Sequence, residues 1–278
     1  MKNKLFFSKM HGLQNDFMVV ETLTQKFFLN KKIIQSFSHR NTGVGFDQLL
    51  LIESPKVKNT DFNYRIFNFD GSEVEQCGNG ARCLARFVFY KKLIKKKKII
   101  VSTKNRIMIL KIKNKNKVLV NIGSPNFNPK NIPCLSIIEK DIYSLKINSE
   151  KIFFGAVSIG NPHCVIIVND IFKAPVQNIG SILESHNFFP NKVNVGFMQI
   201  LNKNNIFLRV FERGVGETKS CGSGACAAVM VGIKQKKLSN VVNVILQGGS
   251  ITIKFNPKKN CIYMIGTANH IYDGYIYY

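Results

Sequence analysis

Phe67-Asn68-Phe69-Asp70-Gly71-Ser72-Glu73-Val74-Glu75-Gln76-Cys77-Gly78-Asn79-Gly80-Ala81-Arg82-Cys83 has a later echo. It reads Phe211-Glu212-Arg213-Gly214-Val215-Gly216-Glu217-Thr218-Lys219-Ser220-Cys221-Gly222-Ser223-Gly224-Ala225-Cys226. Set Cys77 over Cys221, and the copies agree at Arg65/Arg209, Phe67/Phe211, Glu73/Glu217, Gly78/Gly222, Gly80/Gly224 and Ala81/Ala225. Such self-similarity marks a duplicated unit. In each copy a strand-like run enters a polar turn, then Cys-Gly-x-Gly-Ala, then an apolar helical run. A cysteine just ahead of a helix stands among backbone N–H groups that lack intrahelical acceptors, and these favour its thiolate. The pattern therefore predicts one activatable thiol, Cys77 and Cys221, at the head of each of two related helices.

Outward from the first turn, Ala81, Leu84, Ala85, Val88 and Phe89 recur on one helical face, which the sequence carries to Leu93-Ile94 and the run Lys95-Lys96-Lys97-Lys98. From Ala225 to Ile233 nearly every residue is apolar or small, which predicts a helix wrapped by sheet. Strands are predicted at 5–10, 17–21, 49–52, 61–67, 99–102, 107–112 and 118–122. A second series falls at 153–159, 164–168, 197–200, 206–211, 241–246, 250–255 and 261–265. Further helices are predicted at 31–38 and 176–184. Polar turns cover 11–16, 160–163 and 191–196, while 123–152 carries only weak signals. The tail Gly274-Tyr275-Ile276-Tyr277-Tyr278 reads as a strand returning to the first domain.

The duplication divides the 278 residues into two domains of roughly 120 to 140 residues. They are residues 1–122 with the strand 267–278, and residues 123–266. Composition is globular, at 45% hydrophobic and 20% charged. No apolar run reaches the roughly 20 residues that span a bilayer, and Met1-Lys2-Asn3-Lys4 leads into no signal-peptide core. The expectation is a cytoplasmic protein with no membrane partner. Seven cysteines in no secreted-protein spacing predict reduced thiols rather than a disulfide framework. The net charge of +24 comes from lysines spread along the chain, and no aromatic–basic motif accompanies them. It reads as a solvated surface, with steering of an anionic substrate behind it and nucleic-acid recognition last.

Cys77/Cys83 and Cys221/Cys226 are poorly spaced for a zinc knuckle, and Cys83 and Cys226 fall inside helical periodicity. Neither glycine set matches a dinucleotide or phosphate loop. Two equivalent thiols without an attached His/Asn relay suit a substrate handled from both faces. One thiol takes a proton from a tetrahedral carbon, and the other returns one to the opposite side. Two helix N-termini would bind the substrate carboxylate as charge builds toward an enolate-like state.

The chain resembles diaminopimelate epimerase over essentially its whole length. The resemblance rests on Phe7-Ser8-Lys9-Met10-His11-Gly12, Asn15-Asp16-Phe17, Gly45-Phe46-Asp47-Gln48, Asp70-Gly71-Ser72, Gly160-Asn161-Pro162-His163-Cys164, Glu212-Arg213-Gly214 and the two Cys-Gly turns. It implies an α/β (α+β) fold of two similar domains. Each is a curved mixed/antiparallel sheet around a central helix, with the active site in the cleft between them. It implies cofactor-independent, metal-free interconversion of LL- and meso-diaminopimelate, a small-molecule substrate, by a homodimer in bacterial lysine and peptidoglycan synthesis. By position, Cys77 and Cys221 would be the acid/base thiols. Asn15, Gln48, Asn68, Asn161, Asn194, Glu212 and a buried Arg213 would bind substrate with the N–H groups of Gly78, Asn79, Gly222 and Ser223. His163 would stand beside the pocket. Two alternatives stay open: a sister enzyme acting on proline or hydroxyproline, and a binding protein that keeps the fold. One departure matters. Gln14 stands where the family usually has glycine, and a positive φ there would strain it and displace Asn15.

Overall fold

The computed structural model describes residues 3–75, 77–114 and 116–278. The chain forms two compact units, one ending at Asn121 and regaining Gly266–Tyr278, the other spanning Ile122–Ile265. The first unit runs β1 (Lys4–Gly12), β2 (Asn15–Glu21), α1 (Lys31–Ser38), β3 (Gln48–Glu53), β4 (Phe62–Asn68), β5 (Glu73–Val74), α2 (Gly78–Tyr90), β6 (Lys98–Ser102), β7 (Ile107–Ile112) and β8 (Lys117–Gly123). The second runs β9 (Tyr143–Ile147), β10 (Glu150–Ser158), β11 (Pro162–Ile167), α3 (Val176–Glu184), β12 (Asn194–Asn202), β13 (Asn205–Glu212), β14 (Gly216–Thr218), α4 (Gly222–Lys234), β15 (Val241–Leu246), β16 (Gly249–Asn256) and β17 (Cys261–Thr267). The last strand, β18 (Asn269–Tyr277), lies antiparallel to β1 with Leu5 opposite Ile276.

Both units pair their strands in the same way. In the first, β1 and β2 are antiparallel, β2 and β3 parallel with Phe17 opposite Gln48, β3 and β4 antiparallel, and β4 and β6 parallel. In the second, β10 and β11 are antiparallel, β11 and β12 parallel with His163 opposite Asn194, β12 and β13 antiparallel, and β13 and β15 parallel. The fold is thus mixed α/β with two repeated domains.

Each sheet buries both faces. Leu49 and Leu51 of β3 pack with Ile34 and Phe37 of α1, whereas Leu50 points the other way, against Gly80 at the start of α2. That explains why Leu49-Leu50-Leu51-Ile52 is apolar without alternation. Each such fully buried leucine contributes about 1.5 to 3 kcal/mol. In the second unit Val176 and Leu183 of α3 pack on Val195, Phe197 and Phe211, and α4 is buried along nearly its whole length.

Several elements differ from the sequence expectation. Helix α2 stops at Tyr90 rather than Leu93-Ile94, because Lys92 turns to φ 56° and the Leu93 N–H donates to the Val88 carbonyl. Helix α4 closes the same way, with Lys236 at φ 58° and Lys237 N–H on the Gly232 carbonyl. These are left-handed caps built on lysine, with cations at the negative helix ends. The turn expected over 11–16 shrinks to Leu13-Gln14, because β1 and β2 pair as far as Gly12 and Asn15. Pro162, His163 and Asn194 belong to strands rather than turns, held by the parallel β11–β12 ladder. Strands β5, β9 and β14 have no sequence signal of their own and exist through their partners.

Candidate active site

Cys77 and Cys221 are the N-cap residues of α2 and α4. Both have extended backbones, and each sulfur accepts the backbone N–H of the third residue on: Gly80 at 3.3 Å and Gly224 at 3.4 Å. A cap normally uses a Ser, Thr, Asp or Asn oxygen; here it uses a thiol, placing each sulfur at the positive end of a helix. The glycines are required by close approach. A Cβ on Gly80 would lie 2.4 Å from the Tyr64 hydroxyl, and one on Gly224 would lie 3.2 Å from the Cys221 sulfur. Upstream of each turn an arginine clamps a glutamate bidentately, Arg65 to Glu73 at 2.8 and 2.9 Å and Arg209 to Glu217 at 2.7 and 2.9 Å. These pairs staple β4 to β5 and β13 to β14, and so present the turns.

In the first unit, Gln48 at the head of β3 donates to Asn68 Oδ1 at 2.9 Å, and Asn68 donates to the Ser72 hydroxyl at 3.2 Å. Gln48 Oε1 is buried without a hydrogen-bond partner among the described residues, an acceptor open to a bound donor. Asn15, at the head of β2, lies 3.8 Å from Cys77 Sγ and 3.4 Å from Asn79 Nδ2 through its Oδ1. Gly78 and Asn79 form the first turn of α2. Behind Asn15 lies a charge cluster absent from the sequence reading. Asp47 accepts from Asn15 Nδ2 at 2.9 Å, Arg40 bridges Asp16 and Asp47, and the buried Lys9 donates to Asp16 at 2.6 Å. Burial opposes ionisation of Asp16, but the bonds from Arg40 and Lys9 outweigh it and hold the carboxyl well below its usual range.

In the second unit, Asn161 pairs its Oδ1 with the His163 ring at 3.1 Å. Asn194 donates to the Pro162 carbonyl and accepts the Arg213 backbone N–H, both at 3.0 Å. Glu212 ends β13 with its carboxylate on the Thr218 hydroxyl and against the Cys221 thiol. Ser223 Oγ stands 3.6 Å from Cys221 Sγ, with Gly222 opening the helix. Burial pushes the Cys221 thiol well above its ordinary value and the negative charge of Glu212 adds to this, while Ser223 and the Gly224 N–H pull back. Burial also raises the Glu212 carboxyl, against hydrogen bonds from Thr218 and Cys221. His163 is pushed down to about 3 by burial and by the charge of Arg213. Arg213 is exposed rather than buried, because the turn carries it outward. Its Nη1 donates to the Asn191 carbonyl at 2.9 Å, and Glu184 anchors the same turn through the Gly214 N–H.

Matching the repeats pairs Cys77 with Cys221, Asn68 with Glu212, Gln48 with Asn194 and Asn15 with Asn161. The carboxylate beside Cys221, that of Glu212, thus has the Asn68 amide as its counterpart, whereas the amide oxygen beside Cys77 comes from another position, Asn15. Asp16, Asp47, Lys9 and Arg82 lay inside the motifs that the sequence singled out, but nothing local announced their contacts. Among the described residues no group of three or more His, Cys, Asp or Glu side chains is arranged to hold a metal ion. None of the described helices is long and apolar enough to cross a membrane.

The diaminopimelate epimerase family model matches residues 7–128 and 155–271. Among solved structures, a hydroxyproline epimerase from Agrobacterium vitis is similar at 12% identity and TM-score 0.72, over 99% of this chain and 91% of that one. A probable proline racemase from Agrobacterium radiobacter K84 follows at 13% identity and TM-score 0.70, over 97% and 92%. A phenazine biosynthesis protein of the PhzF family from Bacillus anthracis is similar at 17% identity and TM-score 0.67, over 99% of each chain. At these identities the structures share the fold. The chain belongs to the diaminopimelate epimerase family.

Proposed function

We propose that this member of the family is a cofactor-independent isomerase that interconverts LL- and meso-2,6-diaminopimelate at the α-carbon, as a cytoplasmic homodimer in bacterial lysine and peptidoglycan synthesis. The observation that carries the proposal is the pair of thiol N-caps at equivalent positions of a duplicated unit, each on a helix N-terminus. One sulfur, as thiolate, takes the α-proton. The other, as thiol, delivers its own proton to the opposite face, so the two leave the turnover with protonation states exchanged. The mechanism needs both turns to reach one α-carbon. Glu212, against Cys221, accepts that thiol's hydrogen bond, and its negative charge favours the protonated form there.

The substrate assignment rests on the polar equipment around the thiols. Diaminopimelate has a second amino-carboxylate that proline lacks. Among the described residues the Arg213 guanidinium is hydrogen-bonded to one backbone carbonyl, Asn191, which leaves donors for a bidentate carboxylate contact. Asn15, Gln48, Asn68, Asn161, Asn194 and the N–H groups of Gly78, Asn79, Gly222 and Ser223 complete the proposed binding set, with His163 behind Asn161. The test is purified protein with LL-diaminopimelate and no added cofactor in deuterated water. Early product should carry solvent deuterium at the α-carbon while the remaining substrate stays nearly unlabelled. Turnover of proline or hydroxyproline in preference to diaminopimelate would overturn the substrate assignment, and product that keeps its α-hydrogen would overturn the two-thiol mechanism.

A further inference from the structure

Glu184 breaks two local rules at once. It is the last residue of α3, where the negative end of the helix disfavours a carboxylate. It is also buried, where an ionised acid costs free energy unless it is bonded. What it holds accounts for both. Its Oε1 accepts the Gly214 N–H at 3.0 Å and the Lys192 ammonium at 3.3 Å, and its backbone carbonyl accepts the Val193 N–H at 3.0 Å. Glu184 thereby ties the turn that follows β13 to the segment that leads into β12. Arg213 is bonded to the same two stretches of chain. Its own N–H rests on Asn194 Oδ1 at 3.0 Å, and its guanidinium on the Asn191 carbonyl at 2.9 Å, one residue from Lys192. The first unit repeats the grip with different chemistry. Ser38, the last residue of α1, donates its hydroxyl to the Phe69 carbonyl at 3.0 Å, and Phe69 matches Arg213 when Cys77 is set over Cys221. A neutral hydroxyl is enough for a turn whose side chain is an exposed phenyl ring. The costlier carboxylate stands where the turn carries a guanidinium.

We infer that Glu184 is a positioning residue that fixes the direction of the Arg213 side chain, and through it favours substrates with a second carboxylate remote from the α-carbon. The favouring of such substrates rests on the reading of Arg213 given above; the aiming of the side chain does not. Gly214 lies at φ 72°, and among the described residues no atom comes within 4 Å of where its Cβ would stand. Packing therefore does not hold the turn at that point, and a glycine is the residue freest to move. The bond from the Gly214 N–H to a buried, rigidly seated carboxylate supplies the restraint, on the peptide that immediately follows Arg213. A guanidinium recognises a carboxylate through two parallel bonds, so a small error in its direction forfeits one of them.

The experiment has a substrate-free arm and a kinetic arm. In ¹⁵N-labelled protein without substrate, the Arg213 Nε–H signal is identified by its loss in Arg213→Lys, and its heteronuclear NOE reports how firmly the side chain is held. The unaltered protein should give a value close to that of the ordered backbone. Glu184→Ala should bring it down toward that of a free side chain, and Glu184→Gln, whose amide oxygen still accepts the Gly214 N–H, should restore it. With LL-diaminopimelate, Glu184→Ala should raise KM about tenfold and change kcat less than about threefold, while Glu184→Gln stays within about threefold of the parent KM. In an Arg213→Ala background, Glu184→Ala should raise KM no further, because its effect passes through the missing guanidinium. A residue that merely stabilises the fold would lower the denaturation midpoint and leave the KM of the folded variant unmoved. A folded Glu184→Ala protein with an unaltered Nε signal would overturn the inference. So would a mobile Nε in the unaltered protein, a reading that needs no variant to fold, and so would an unmoved KM in an active Glu184→Ala enzyme. An unaltered protein inactive on diaminopimelate discards the substrate assignment instead, and the substrate-free arm still decides whether Glu184 aims Arg213.

Discussion

Cys77 and Cys221 share a backbone role in unlike surroundings, one half-exposed beside an amide, the other buried beside a carboxylate. If each serves one face of the α-carbon, neither can replace the other, since a thiol carries a single proton. Cys77→Ala and Cys221→Ala should each lose at least about 10³-fold in kcat, close to 4 kcal/mol. Cys83 and Cys226 are fully buried inside the helices, so their alanine variants should lose about 1 kcal/mol of stability in a denaturation curve and keep most of their turnover. Near-native turnover in either N-cap variant would dismiss the two-thiol chemistry. His163 offers a second test at this scale. Its folded value near 3 lies below the ordinary value of about 6.5. The neutral ring therefore contributes its full stability above pH 6.5, and this is lost as pH falls toward 3, because the unfolded chain takes up a proton that the folded protein refuses. The slope approaches 1.4 kcal/mol per pH unit, about 2 kcal/mol between pH 6.5 and 5. Urea titrations should show His163→Gln lacking that loss, and equal acid sensitivity in both proteins would place it elsewhere.

The β1–β2 hairpin shows how an element can override its local residues. Leu13 and Gln14 lie at φ 56° and 63°, the two positive angles of a type I′ turn, which matches the twist of antiparallel strands and prefers Asn-Gly. Leu13 is tolerated because its side chain is buried. Gln14 is exposed and has no such offset, yet the ladder still closes from Gly12 to Asn15. Gln14→Gly should raise stability by about 0.5 to 1 kcal/mol, whereas Leu13→Gly, which removes buried surface, should lower it. A Gln14→Gly protein that melts earlier than its parent would show that the turn carries no strain. Much at this scale was legible in advance. Helix α3 falls at the residues where its apolar spacing put it, and β7 and β15 likewise, because periodicity records which face is buried. The short strands β5 and β14 were not legible, since two or three residues carry no period. They are held by arginines eight positions away in sequence and adjacent only across the sheet.

For the molecule as a whole, Lys and Arg outnumber Asp and Glu by 40 to 16, and many of the acids are already engaged, Asp61 with Lys96 and Asp273 with Lys91 among them. Most cations therefore face one another across water. Moderate salt added to a low-ionic-strength buffer should raise Tm by screening this repulsion, and should release any DNA without changing the KM for a zwitterionic substrate more than modestly. DNA retained at physiological salt would contradict a merely solvated surface. The mixed α/β class, the duplication and the two thiols at helix heads followed from the sequence itself, because each is written in short-range terms: period, turn chemistry, one residue before a helix. The arrangement around the thiols did not. Arg82 meets Thr267, Asn15 meets Asp47, and Glu212 meets Cys221 only once strands distant in sequence lie side by side. The burial that makes those contacts strong belongs to the packed chain and to no stretch of it alone.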